Sequence, residues 1–335
     1  MGTSVYQIVG LARITYVDLL CSKGQPVRIK VLSLNRCREY HKISLNMKMP
    51  DGVELYMESK FVQAGKVRLE YFEQGHGPDT LVLAHGYASS AAIWRYTLQY
   101  LSENRFRVVV LNNRGAGRSD RDSSDGPFNE ENYSVEIFAE DLSDAIDALK
   151  LEGFTLIGHS MGGATVAQFA LGHQDRIKGL VLMNSAPLNG RPLKEGWEGE
   201  MRESLQSTGP PEGDMGFQAP HATDDFKEAV LADISRNPVE RFIGGRKSMA
   251  ALKLRHRLHE IKVPTLVMGG DQDTTVGINN ILAEFNALTG GLGHLHIYHG
   301  IGHSPNVQVP ESAARVIGLF SDMTRQKGLQ GQSAR

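Results

Sequence analysis

Between residues 66 and 324 the chain alternates short apolar runs with stretches of helical spacing. Lys66–Glu73 (KVRLEYFE) interleaves apolar and charged residues, the pattern of a strand with one buried face. Thr80–Ala84 (TLVLA), Arg107–Leu111 (RVVVL), Ile177–Met183 (IKGLVLM) and Pro264–Met268 (PTLVM) are apolar almost throughout, as strands covered on both faces are. His294–Tyr298 reads as a further strand. Ile93, Trp94, Leu98 and Leu101 form one apolar stripe, and Ile137, Phe138, Leu142, Ile146 and Leu149 another, which predicts helices over 91–101 and 135–149. Helices are also expected at about 161–171, 276–288 and 310–324. Strands alternating with helices predict an α/β fold with a mostly parallel, doubly wound sheet.

The rhythm breaks in three places. From Pro187 to Leu258 no buried strand appears, and helical patches at 197–205, 225–234 and 238–258 suggest a helical insertion after the sixth core strand. Residues 1–56 carry only interrupted β-like runs, at Val5–Leu11 and Val27–Leu34, and read as an appendage of uncertain order. Residues 326–335, rich in Gln, Gly and Ser, read as a flexible tail. The expected organisation is therefore an extension over 1–56, a core over 57–186 and 259–325, a helical cap over 187–258, and a tail.

Composition narrows the function without choosing it. The 335 residues are 41% hydrophobic and 22% charged, with a formal net charge of -2, so there is no electrostatic case for nucleic acid or an anionic membrane as partner. No apolar run approaches the roughly 20 residues of a membrane span, and no signal peptide is read at the start. Cys21 and Cys37 read as free thiols of a reducing, cytoplasmic compartment. A small molecule is the expected partner; oligomeric state is not legible.

Chemistry collects at the ends of the expected strands. Phe154–Gly163 (FTLIGHSMGG) runs from a strand through Gly158-His159-Ser160-Met161-Gly162 into an Ala-rich helix, which is G-x-S-x-G in strand–turn–helix context. Such a turn is tight enough that a Cβ at either flanking glycine would clash. A serine hydroxyl is a weak nucleophile and needs a base, which needs an orienting acid. Gly269-Gly270-Asp271-Gln272-Asp273 follows one later strand, and Gly300-Ile301-Gly302-His303 follows the next. His85-Gly86-Tyr87 ends the Thr80–Ala84 strand, and Arg114-Gly115-Ala116-Gly117-Arg118-Ser119 follows Arg107–Leu111.

From about Gly65 to Thr324 these five pieces, in this order, resemble the α/β-hydrolase fold family with an inserted cap. The resemblance implies Ser160 as nucleophile, His303 as general base and then acid, and Asp273 as the orienting acid. Asp271 stays open as the acid, though the G-x-x-D spacing from Gly270 favours Asp273 and Asn184-Ser185 occupies the loop some family members use instead. The implied oxyanion donors are the backbone N–H groups of Tyr87 and Met161. His85 is expected to brace the oxyanion loop and His159 to pack beside the nucleophile; with Gly86, Tyr87 and Trp94, and a subset of the insertion's Trp197, Met201, Leu205, Met215, Phe217, Phe226, Phe242 and Met249, they are candidates for the pocket wall. Gly213, Gly216, Gly244 and Gly245 could let the cap move.

Other readings are weaker. His256 with His259, and His294 with His296, each place two rings on one face, but no third ligand is grouped with them, so no metal is expected. The 113–120 loop lacks G-x-G-x-x-G and any Walker lysine, so it reads as a structural turn with Arg114 or Arg118 in ion pairs rather than a phosphate site. No cofactor is expected. The resemblance implies a serine hydrolase acting on a carboxylic ester or lactone of a small to medium, fairly apolar substrate. The same residues could serve a carbon–carbon, amide or thioester bond, or remain in a non-catalytic receptor.

Overall fold

A computed structural model describes residues 6–10, 13–19, 29–31, 58–123, 126–207 and 214–332. The chain divides into two compact units, Met1–Tyr56 and Met57–Arg335. In the first, Tyr6–Gly10, Arg13–Leu19 and Ile29–Val31 form a three-stranded antiparallel sheet. Whether this unit is an appendage concerns residues that mostly lie outside the described ones.

The second unit is built on eight strands: β1 (Lys60–Ala64), β2 (Val67–Gln74), β3 (Asp79–Ala84), β4 (Phe106–Leu111), β5 (Phe154–His159), β6 (Ile177–Met183), β7 (Thr265–Gly270) and β8 (Gly293–Tyr298). Their order across the sheet is β8-β7-β6-β5-β3-β4-β2-β1. All neighbours from β4 to β8 pair in parallel, and only the β1–β2 and β2–β4 pairs are antiparallel. The chain leaves β3 toward one edge and, after β4, returns past it to β5. The crevice at the carboxyl ends of β3 and β5 is therefore the topological switch point, where such sheets bind ligands.

Alternation along each strand feeds two cores, one on each face. Leu81 and Leu83 of β3 join one, with Val108 and Val110, Val181 and Met183. Val82 and Ala84 join the other, with Val109, Leu111, Leu180 and Leu182. Helices α1 (Val135–Ala148), α2 (Met161–His173) and α6 (Ile278–Ala287) cover this second face with Phe138, Leu142, Phe169 and Ile281. Trp94, Leu98 and helix α7 (Pro310–Gln332), through Ile317 and Phe320, cover the first. Ser134 starts α1 by accepting from the Ile137 amide at 3.2 Å, which satisfies one of the donors a helix start leaves unpaired.

Two expectations are corrected here. The helix expected over 238–258 is broken: α5 (Val239–Ala251) stops where Leu252 turns to ψ 138°, and a 3-10 turn follows over Arg255–Glu260. Leu254 and Arg255 instead donate to the Leu188 carbonyl at 2.7 and 3.1 Å, tying the end of the insertion to its beginning. Helix α7 runs on to Gln332, into the segment expected to be a tail. Arg325, Gln326, Lys327, Leu329 and Gln330 all favour helix, and no proline interrupts them. Residues 333–335 and Gly213 lie outside the described ones. The insertion after β6, the sixth strand of this sheet, carries α3 (Trp197–Ser207), α4 (Asp224–Ser235) and α5.

Glu284 of α6 sits at the base of this insertion, 1% exposed, accepting from the Leu188 amide at 3.1 Å. Burial raises its pKa to about 8, against the smaller opposing pull of Leu188 N–H and Arg255. The folded chain then keeps a proton that the unfolded chain loses near the ordinary 4.5, so stability falls as pH rises from 4.5 to about 8. Glu284→Gln should remove that loss. Melting temperatures of the two proteins are expected to diverge by about 2 °C or more between acid and mildly alkaline buffer, the variant being relatively more stable at the alkaline end. A difference that stays constant across that range would mean that Glu284 is ionised in the fold.

Candidate active site

The β5–α2 turn is as tight as its glycines suggest. A Cβ on Gly158 would run into the Gly162 carbonyl, and one on Gly162 would lie 2.6 Å from the carbonyl oxygens of both Ala84 and His85. Ser160, between them, takes φ 56° and ψ -121°, a strained conformation for a residue with a side chain. It is held there by backbone bonds: Ser160 N–H to the Met183 carbonyl at 3.0 Å, and its own carbonyl from Ala186 at 2.8 Å and Gly163 at 2.9 Å. A Cβ on Gly86 would come 2.9 Å from the Ser160 Cβ and 3.4 Å from its Oγ, so the loop after β3 reaches the serine only as glycine. Met161, the residue after it, opens α2, and its N–H is among those a helix start leaves without an intrahelical acceptor.

The loops after β7 and β8 bring the acid and the histidine together. His303 Nδ1 and Asp273 Oδ2 are 2.8 Å apart, with both side chains almost fully buried. The same oxygen accepts from Asn184 Nδ2 at 2.6 Å, and Oδ1 accepts from the amides of Thr275 and Val276 at 2.7 and 3.0 Å. Burial alone would raise the pKa of Asp273. The His303 contact, Asn184 and the Val276 amide outweigh it, and the carboxyl is held below its ordinary 3.8. A carboxylate can only accept, so His303 donates from Nδ1 to Asp273. Asp271 faces elsewhere: it binds His299 Nδ1 at 2.6 Å and the Gly300 amide at 2.7 Å, away from His303.

Two imidazoles beside these groups, those of His85 and His159, are neutral. His85 donates from Nδ1 to the Gly86 carbonyl at 2.9 Å and accepts on Nε2 from the Asn113 amide at 3.1 Å. Burial, with a smaller contribution from the Arg241 charge, lowers its pKa to about 3. His159 donates from Nε2 to the His303 carbonyl at 2.9 Å, and its ring centre lies 4.9 Å from that of His303. Burial, then the neighbouring His303, lowers it to about 3 as well. Arg114 closes a bidentate pair with Asp141 at 2.6 Å, so the 113–120 loop is an internal brace on α1. His259 Nδ1 binds the His256 carbonyl at 2.8 Å, and no group of metal-ligating side chains occurs among the described residues.

A cavity of about 320 Å³ opens over Ser160 and His303. It takes in Gly86, Tyr87, His159, Met201, Met215 and Met249 among the expected wall residues, but not His85, Trp94, Trp197, Leu205, Phe217, Phe226 or Phe242. Most have a packing reason. His85 is spent on its two loop contacts. Trp94 is fully buried edge-on against His159, at 6.4 Å between ring centres. Phe217 packs on Phe226 at 6.0 Å. Phe242 packs on Tyr87 at 6.0 Å and gives its carbonyl to the Tyr87 hydroxyl at 2.8 Å. Trp197 is half-buried at the first position of α3. Gly244 and Gly245 are close-packing positions rather than hinges, one against the Glu130 carbonyl, the other 3.3 Å from the Tyr87 ring for an added Cβ. The rest of the wall is made by Pro187, Arg191, Pro192, Leu193, Asp214, Arg246, Ala250, Thr275 and Val276, with Ser89, Ala88 and Ala186. Polar members such as Arg191, Asp214 and Arg246 carry no motif, and Asn184 could be found only by asking what stands beside the acid.

A family model described as alpha/beta hydrolase fold matches residues 79–308. A 2-hydroxy-6-oxononadienedioate/2-hydroxy-6-oxononatrienedioate hydrolase of Paraburkholderia xenovorans is 30% identical over 290 residues, covering 78% of this chain and 94% of that protein. The karrikin insensitive 2 receptor IA of Petunia hybrida is 25% identical over 254 residues, 72% of this chain and 90% of that one. Among solved structures, an esterase of Exiguobacterium antarcticum superposes with a TM-score of 0.66 at 21% identity, covering 79% of this chain and 100% of that one.

The turn geometry makes Gly158→Ala a sharp test. The added methyl has only backbone to displace, so a loss of roughly 2–5 kcal/mol in urea unfolding is expected. A loss under about 0.5 kcal/mol, the range of a neutral surface change, would mean that the turn is looser than described.

Proposed function

This chain belongs to the α/β-hydrolase fold family, and from that premise we propose that it is a serine hydrolase cleaving a carboxylic ester or lactone through an acyl-enzyme. One observation carries the reading: Ser160, strained at the start of α2, shares a cavity with His303, whose Nδ1 is engaged by a buried Asp273 at 2.8 Å. His303 Nε2 takes the hydroxyl proton as Ser160 Oγ attacks the carbonyl carbon. Asp273 holds the ring and stabilises the imidazolium that forms. The tetrahedral oxyanion is received by the N–H groups of Met161 and Tyr87, the first reinforced by the positive end of α2. His303 then returns the proton to the departing alcohol oxygen. Water, deprotonated by the same nitrogen, releases the acid and restores Ser160. The mechanism draws on no metal or cofactor. The largely apolar wall favours a small to medium, mainly apolar substrate.

A second reading keeps the triad and changes the bond. The Paraburkholderia relative, whose name describes hydrolysis of a 2-hydroxy-6-oxo dienedioate, matches across nearly its whole length. The Petunia relative, named as a receptor, shows why catalysis has to be measured. A fluorophosphonate probe should label the wild type and not Ser160→Ala. A panel of esters, lactones and 2-hydroxy-6-oxo dienoates then ranks the bonds. No labelling and no turnover of any panel member would sink the enzyme reading, and turnover of the dienoates alone would move it to carbon–carbon cleavage. Asp273→Asn is expected to lower kcat by about 10³–10⁴, since Asn reverses the hydrogen bond to Nδ1. Asp271→Asn should change kcat by less than about threefold, as its partner is His299. Equal losses in the two variants would mean that the acid is misassigned.

A further inference from the structure

The cavity over Ser160 is apolar on most of its surface, with Leu193, Met201, Met215 and Met249 among its walls, yet two arginines open onto it. Arg246 comes from α5. Gly245 before it packs against the Tyr87 ring, and Arg246, Met249 and Ala250 share one helical face and line the cavity together. Arg191 comes from the stretch between β6 and α3. Its guanidinium donates to the carbonyls of Thr275 and Val276 at 2.9 and 3.3 Å, two neutral acceptors on the loop that holds Asp273.

Neither guanidinium forms an ion pair with a described carboxylate. Lys247, the next residue of α5, reaches Glu130 at 2.7 Å and Glu198 at 2.8 Å, and Arg202 of α3 binds the same two carboxylates. Arg246 makes no ion pair or hydrogen bond with a described residue, although those carboxylates serve its immediate neighbours. Asp214 is the one carboxylate among the lining residues, and both its oxygens are occupied, by the Gly216 amide at 3.2 Å and the His303 amide at 3.0 Å. The other titratable groups on the wall are His303, the neutral His159 and Tyr87, whose hydroxyl burial pushes up to about 12. An apolar chamber holding two unpaired guanidinium groups is poorly suited to a wholly neutral guest. It suits a guest with an apolar chain and an anionic end, for which the planar guanidinium fork matches a carboxylate.

We propose that Arg246 and Arg191 form a carboxylate-binding end of this cavity, so that the substrate is an ester or lactone bearing a carboxylate on the part that lies under the insertion. The reaction half of this proposal rests on the serine-hydrolase reading; the binding half does not. Arg246 is exposed, so Arg246→Gln leaves the fold intact. Arg191 also braces the Asp273 loop, and Arg191→Lys, which keeps the charge but loses the fork, is the gentler second variant.

The test pairs monomethyl esters of α,ω-diacids, from succinate to suberate, with methyl esters of monoacids of matching length. Calorimetry on full-length Ser160→Ala measures binding without turnover. At the best chain length the diacid ester is expected to bind about tenfold or more tightly than its methyl-terminated partner. Arg246→Gln in that background should bring the ratio to within about twofold, Arg191→Lys should lower it part of the way, and added salt should weaken only the diacid ester. Equal or tighter binding of the methyl-terminated esters at every length, or a ratio unmoved by Arg246→Gln, overturns the proposal. Wild-type turnover in a pH-stat separates the two layers. Hydrolysis confined to the neutral esters overturns the carboxylate assignment and leaves the hydrolase reading standing. Tight binding of the diacid esters without hydrolysis supports the anion site and counts against the ester reading.

Discussion

At Ser160 three backbone hydrogen bonds, from or to Met183, Ala186 and Gly163, hold a residue at φ 56° that would relax out of that conformation if freed. The rest of the site is arranged around that strain. It lifts the hydroxyl off the end of β5 and leaves the first amide of α2 beside it. It also forces strand, helix and the loop after β3 so close together that three positions have no room for a Cβ. The parallel sheet makes the strain tolerable: β5 is central, flanked by β3 and β6, and every residue of it is buried. A single strained residue costs about 1–3 kcal/mol, which a sheet of this size absorbs.

Burial then sorts the charges. His85 and His159 lie in the same apolar surroundings and are kept neutral, each spending its ring N–H on a loop carbonyl. Asp273 is almost as buried, yet stays ionised because four donors converge on its two oxygens. A desolvated carboxylate that accepts from His303 Nδ1, with neutral imidazoles beside it, is the setting of the base role proposed for His303. Asn184 supplies one of those donors from the end of β6, so a position without titratable chemistry sets the electrostatics of one that has it.

Chemistry and selectivity are divided between the two parts of the second unit. The loops of the sheet hold the groups proposed to react. The insertion between β6 and β7 brings Arg246, Met249, Met215 and Asp214 over them. Asp214 bridges the two parts, since its carboxylate accepts the His303 amide while its carbonyl accepts the Ser304 hydroxyl at 2.7 Å. The position of the insertion and the placement of the histidine loop are thus coupled through short hydrogen bonds.

The sequence by itself determined the sheet and pointed to the groups proposed to react. Buried strands of a parallel sheet read as near-continuous apolar runs, and the residues that end them must be glycine, serine, histidine or aspartate for steric and chemical reasons, so periodicity and motif point to the same places. It also determined where the insertion begins, because the buried-strand rhythm stops at Pro187 and returns at Pro264. Only the tertiary structure distinguishes Asp271 from Asp273: both stand in one turn, and Asp273 faces His303 while Asp271 faces His299. It alone separated wall from core. Trp94, Phe217 and Phe242 have the composition of a pocket wall, but large aromatic side chains bury as readily against each other as against a ligand. It also showed that two arginines with no motif around them open onto the cavity. Side chains in an irregular helical insertion follow no period that fixes their direction, and that direction is set by how the insertion docks on the sheet.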